Sequence, residues 1–292
     1  ERLPLECADD VVLAVLDSFQ GAREDDAAWH GGCLALAELA RRGLLLPVRL
    51  PSAVPVIVQA IHYDVRRGQN SVGGHVRDSA CYVCWAFARA YDPAVMRPFV
   101  QDLAVGMLLA SLFDREVNCR RAASAAFQEN VGRQGNESFE HGIEILTAAD
   151  YFTLGSRAAA YTEISRFVAG FDKYRRPIIA HLKDSKLFHW DAEVRVLSSS
   201  ALGNLVDLDC GYMAETVLPE LVGKVCDPDL LVRHGAVLGV AEVTRALGAR
   251  AEPCAGDVAG VVERVEKARL YRGKGGEIMR SAVCRLVEGV AL

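Results

Sequence analysis

Cys81 and Cys84 are the pair in this 292-residue sequence whose type and spacing suit a metal ion or a redox couple. A structural zinc needs four ligands, commonly two such pairs. No second pair follows, and on a helix both sulfurs share a face with Arg77, Ala80 and Ala88, which reads as packing. The seven histidines (His30, His62, His75, His141, His181, His189, His234) include no His-Glu-x-x-His and no His-Glu dipeptide. Zinc-protease and His-Glu di-iron ligand sets are therefore missing from the sequence. The glycine-rich runs 68–74 and 273–276 lack the Lys-Ser/Thr pair that closes a phosphate-cradling loop, and they read as flexible turns between helices. No Gly-x-Ser-x-Gly elbow is present. The paired carboxylates Asp9-Asp10 and Asp25-Asp26 stand at helix starts or in turns, where capping explains them. On residue chemistry we assign no catalytic group, no metal site and no cofactor.

The elements that carry these residues follow from a recurrence. His30, Arg77, Arg120, Arg157, Arg195, Arg233 and Arg280 each open a run of small and apolar residues at helical spacing, in steps of 47, 43, 37, 38, 38 and 47 residues. Ahead of each anchor lies a second apolar, helix-compatible stretch, at 11–19, 54–61, 99–109, 143–146, 178–182, 217–225 and 258–265. Pro98, Pro177 and Pro219 stand at or near the starts of three of these, where a missing amide proton costs little. Asp114, Asp191 and Asp229 precede inner helices, where a carboxylate can cap free amides. Two helices per repeat of about forty residues indicate a HEAT or armadillo solenoid. The expectation is an all-α fold of about seven two-helix repeats, running over 1–292 as a single continuous segment of a longer solenoid.

Composition agrees. Hydrophobic residues make up 51% and aromatics 7%, so the interior must be built largely from Ala, Leu and Val. The formal charge of −5 argues against a nucleic-acid partner, whose affinity rests on phosphate neutralisation. The basic clusters 173–176 and 264–274 read as solvated helix ends. The nine cysteines are odd in number and scattered, without disulfide-framework spacing, which suits the reducing cytosol. No apolar run is expected to reach the length of a transmembrane segment, about 20 residues. Two loops look longer than a turn needs, 62–75 and the polar stretch 132–142.

Several stretches carry a more specific signal. Trp29-His30-Gly31-Gly32-Cys33 with the run to 39, Val76-Arg77-Asp78-Ser79-Ala80-Cys81 with the run to 91, and Asn118-Cys119-Arg120-Arg121-Ala122-Ala123 with the run to 135 together resemble the tubulin-folding cofactor D family. His141-Gly142-Ile143, Ala149-Asp150-Tyr151-Phe152 and His189-Trp190-Asp191 extend the likeness, which is strong over 26–205 and thinner beyond.

The resemblance implies a non-enzymatic HEAT scaffold. Its members capture β-tubulin and work with tubulin cofactors E and C and an Arf-like small GTPase to assemble or take apart the αβ-tubulin dimer. It implies a cytoplasmic, cytoskeleton-associated protein. Periodicity by itself equally permits a HEAT adaptor for transport or phosphatase assembly. Inner helices are expected to line the concave face, so the candidate partner contacts are Arg121, Gln128 and Glu129, then Arg133 and Gln134 in the following loop. Asp150 and Tyr151, at the expected start of the next helix, complete the set.

Overall fold

The computed structural model describes residues 4–20, 25–68, 70–135 and 138–291, without the side chains of 5, 6 and 252–255. Gln69, Asn136, Glu137 and the Cys254 side chain, all within segments considered above, lie outside that description. The chain is an all-α solenoid of the armadillo type. It divides into two units, Glu1–Ala160 and Tyr161–Leu292.

The first unit holds α1 (Leu5–Gln20) with α2 (Asp26–Arg41), and α3 (Leu50–Ile61) with α4 (Gly74–Ala90). A short α5 (Pro93–Met96) leads to α6 (Val100–Phe113) with α7 (Val117–Gln134), and then to α8 (Gly142–Ala148). The fourth inner helix comprises α9 (Arg157–Ala159), a π-turn (Ala160–Ile164) and α10 (Ser165–Ala169); the unit boundary falls inside its π-turn. The second unit continues with α11 (Asp172–Asp184) and α12 (Ala192–Leu205). Next come α13 (Cys210–Tyr212), joined through a second π-turn to α14 (Leu218–Gly223), and their partner α15 (Leu230–Leu247). α16 (Ala255–Lys267) and α17 (Gly276–Ala291) come last. Helices stand at all seven expected positions, and α1–α2, α3–α4, α6–α7, α11–α12 and α14–α15 pack directly as pairs.

Inner helices make the most extensive packing: α2 on α4 and α4 on α7 in the first unit, α12 on α15 and α15 on α17 in the second. Small residues permit this approach. Ala80, Ala86, Ala123 and Ala126 are all buried between neighbours. Gly235 is the extreme case, since a Cβ there would lie 1.8 Å from the Leu187 carbonyl oxygen. Three helix starts behave as the sequence suggests. Asp25 accepts from the amides of Ala27 and Ala28, Asp191 from Glu193, and Asp229 from Leu231. Asp114, by contrast, does not cap α7 but accepts from Arg77, and Asp9 lies inside α1 and accepts from Arg49.

Three of the anchor arginines, Arg77, Arg120 and Arg195, are buried. Arg77 is buried and forms a two-point pair with Asp114, Nε to Oδ2 at 2.6 Å and Nη2 to Oδ1 at 3.1 Å, while Nη1 donates to the Tyr63 carbonyl. Burial opposes its charge, but the Asp114 carboxylate outweighs burial and the guanidinium pKa is raised. Arg120, 2% exposed, donates to the carbonyls of Asp114, Arg115, Leu154 and Gly155. Arg195 donates to the carbonyls of His189 and Trp190 and, through Nε, to His234 Nδ1 at 2.9 Å. In each case one side chain ties its own inter-helix turn to the next repeat, satisfying buried carbonyls that would otherwise each cost about 1–3 kcal/mol.

Four further expectations need correction. Residues 62–75 are not a plain flexible loop: Val65–Arg67 pairs antiparallel with Asn70–Val72, with Val65 opposite Val72. The polar stretch 132–142 shrinks to a short link, because Gly132 to Gln134 complete α7 and Phe139 is buried edge-on against Phe127 at 5.5 Å. Pro177 lies inside α11, five residues beyond its start at Asp172. Pro93–Phe113 is long and apolar enough to cross a membrane by length and composition. Within the fold this stretch supplies α6, buried from Gly106 to Phe113 and packed against α3 and α7.

Candidate partner-binding surface

The cysteine pair sits in the packing between inner helices. Cys33, Cys81, Cys84 and Cys119 are all buried. Burial pushes their thiols up, Cys33 and Cys119 to about 12 and Cys81 and Cys84 also well above the usual range. A thiol held protonated is a poor nucleophile and a poor ligand. Among the described residues no cluster of three or more His, Cys, Asp or Glu could hold a metal ion.

What the first unit does present is an arginine-aromatic strip across α2, α4 and α7. On α4, Tyr82 and Trp85 lie one turn apart and stack with ring centroids 5.7 Å apart and planes 18° from parallel. Two guanidiniums lie against the Trp85 ring, Arg89 at 4.7 Å and Arg41 of α2 at 5.8 Å from its centroid. Tyr82 donates its hydroxyl to Glu38 Oε1 at 2.8 Å, and Arg41 donates to both the Tyr82 hydroxyl and Glu38, each at 2.9 Å. These bonds, Tyr82 first and Arg41 second, hold the Glu38 carboxyl below its ordinary range. On α7, Glu129 Oε1 accepts from Arg89 at 3.1 Å and from Arg133 at 3.0 Å. The strip is thus ordered by mutual contacts before any partner arrives, and it is made of Trp, Tyr and Arg, the residues that most often dominate interface energies.

A second feature lies beside α7. Arg121 donates from Nε to the Tyr151 carbonyl at 2.9 Å and sets its guanidinium 4.1 Å from the Tyr151 ring centroid. The Asp150 carboxylate accepts from the amides of Phe152 and Thr153 at 2.7 and 2.8 Å, bonds that lower its pKa. Ser124 donates to the Ala149 carbonyl at 2.8 Å. The tight turn between α8 and α9 that results exposes Tyr151 (56%) and Phe152 (83%), ring against ring at 5.5 Å.

Five of the seven sequence-expected residues fall into these two features. Arg121, Asp150 and Tyr151 belong to the turn; Glu129 and Arg133 belong to the strip; Gln128 is exposed on α7. Gln134 is 5% exposed and donates from Nε2 to the Ala88 carbonyl at 3.4 Å, so it is a packing residue and leaves the set. Asp150 and Tyr151 form a turn, not the start of a helix, because Asp150 spends its carboxylate on the turn's own amides. Trp85, Tyr82, Arg41, Arg89 and Phe152 escaped the sequence reading. The available signal was Glu38/Arg41, Tyr82/Trp85/Arg89 and Glu129/Arg133 recurring at three- and four-residue spacing on successive inner helices otherwise rich in alanine.

A family model described as tubulin-specific chaperone D-like armadillo repeats matches residues 1–143. Tubulin-specific chaperone D of Dictyostelium discoideum is 37% identical over 301 aligned positions, covering 99% of this chain and 20% of that protein. Tubulin-folding cofactor D of Schizosaccharomyces pombe is 30% identical over 217 positions, covering 70% of this chain and 19% of that protein. The chain therefore spans about one fifth of the length of these relatives.

Proposed function

We propose, for a chain that belongs to the tubulin-specific chaperone D family, that it is a non-catalytic scaffold of tubulin folding whose first unit supplies a docking face for β-tubulin. In this reading it takes part in assembly and disassembly of the αβ dimer in the cytoplasm, alongside cofactors E and C and an Arf-like GTPase that bring their own surfaces. The observation that carries the reading is the pre-ordered Tyr82–Trp85 stack flanked by Arg41 and Arg89, within the part of the chain that the family model covers. An aromatic pair fixed by its own neighbours loses little side-chain freedom on binding. The Arg121–Tyr151–Phe152 turn is a second contact in the same reading.

The test is tubulin binding by the intact protein carrying this sequence. Trp85→Ala should weaken binding by about tenfold or more, the cost of a central aromatic contact, with helicity unchanged and the protein still folded at the assay temperature. Equal affinity in the variant and the parent would remove the strip from the docking face.

A further inference from the structure

The strip has a charge asymmetry that points to the chemistry of what it holds. At the C-terminal ends of α2, α4 and α7 it collects four guanidiniums, Arg41, Arg42, Arg89 and Arg133, against two carboxylates, Glu38 and Glu129. Each carboxylate is shared. Glu38 faces Arg41 at 2.9 Å and Arg42 at 3.7 Å, and a single oxygen of Glu129 faces both Arg89 and Arg133. Sharing leaves about one positive charge per carboxylate uncompensated, on a chain whose formal charge is −5. The cationic side chains remain largely open, from 42% for Arg89 to 70% for Arg42, so their remaining donors can reach a ligand. Between the charges lie the Tyr82 and Trp85 rings, giving apolar area for a polypeptide backbone or side chain.

From this geometry, and resting on the docking-face reading above, we infer that the strip over Arg41, Arg42, Tyr82, Trp85, Arg89 and Arg133 binds an extended acidic segment of polypeptide. The guanidiniums would take carboxylates in charge-assisted, two-point hydrogen bonds. Two interaxial spacings of about 8–10 Å make the strip about 20 Å wide, the reach of about six extended residues. Phosphate polymers are the less suitable class, because the interspersed Glu38 and Glu129 and the overall negative charge oppose a uniformly charged strand, whereas an acidic peptide can place neutral residues against them.

A fluorescent glutamate-rich peptide of about ten residues, long enough to cover that reach, is the probe, followed by anisotropy with the intact protein. Binding should weaken as added salt shortens the screening length. It should fall about tenfold in Arg89→Gln/Arg133→Gln, a variant that keeps Glu129 and removes two charge-assisted partners. The same peptide should compete with tubulin. Circular dichroism and melting of the double variant must match the parent; if they do not, Arg42→Gln, more exposed and paired only at 3.7 Å, supplies the test with a smaller loss. Absence of peptide binding while tubulin still binds would overturn this inference and leave the docking face standing. Peptide binding without tubulin binding would uphold the inference and contradict the functional reading. Tighter binding of a single-stranded oligonucleotide than of the peptide would overturn the acidic-polypeptide assignment.

Discussion

The two units use the same arginine anchor and end it on different acceptors. In the first, Arg77 closes on the Asp114 carboxylate and Arg120 on four carbonyls. In the second, Arg195 closes on the imidazole of His234. A second difference lies further along the same inner helices. Five residues beyond the anchor, Arg77 leads to Tyr82 and Arg195 leads to Ser200; eight residues beyond, the pair is Trp85 and Gly203. A Cβ at Gly203 would stand 3.2 Å from the Glu242 carbonyl, so the second unit uses that position to bring α15 close. The first unit uses it to raise an aromatic platform. One repeat architecture thus serves close packing in one place and presentation of side chains in another, and the choice rests on a few positions per helix.

Removing an acceptor should break the comparison most severely. Asp114→Ala leaves the Arg77 guanidinium buried without its carboxylate and should cost about 3–5 kcal/mol. Chemical denaturation should register the loss. Protection of α4 and α7 amides from hydrogen exchange should drop, while α15 and α17 keep theirs, because repeats depend on near neighbours.

Acid should sharpen the contrast from the other side. Burial first, then the charges of Arg195 from α12 and Arg285 from α17, lower the His234 pKa from 6.5 to about 4. Above pH 6.5 His234 is neutral in both folded and unfolded chains. Between 6.5 and 4 the unfolded chain takes up a proton that the folded chain refuses, so stability falls as pH drops, by up to about 3 kcal/mol, and this contribution levels off below pH 4. His234→Gln should flatten that part of the stability profile. An unchanged slope would place the titration elsewhere.

The smallest stability effect belongs to the strip. Tyr82 and Trp85 are half-buried, so Trp85→Ala should cost about 1–2 kcal/mol, the worth of the lost ring stack and guanidinium contacts, while its effect on binding is large.

Sequence periodicity made the helices and their pairing legible because buried residues must recur at 3.6. Arg77, Arg120 and Arg195 were legible for a related reason: a buried arginine that donates to several acceptors has no ready substitute. The hairpin at Val65–Arg67 and Asn70–Val72 was not, since three-residue strands carrying Arg66, Arg67 and Ser71 show no alternation strong enough to separate them from a loop. Burial of Gln134 was hidden because a polar residue at the end of a helix gives no sign of which face its neighbour covers. The strip itself needs α2, α4 and α7 side by side. Arg41 and Arg89 meet over Trp85 from residues 48 positions apart, a contact that spacing within one helix cannot announce.

Docking of tubulin on the inner-helix strip of the first unit is the proposal made above. It is tested most directly by measuring tubulin affinity for three forms of the intact protein side by side: the parent, Trp85→Ala, and Ser200→Ala on the corresponding inner helix of the second unit. The account predicts a loss of about tenfold or more for Trp85→Ala and parental affinity for Ser200→Ala, with all three equally helical. Parental affinity for Trp85→Ala, or an equal loss in both variants, would contradict it.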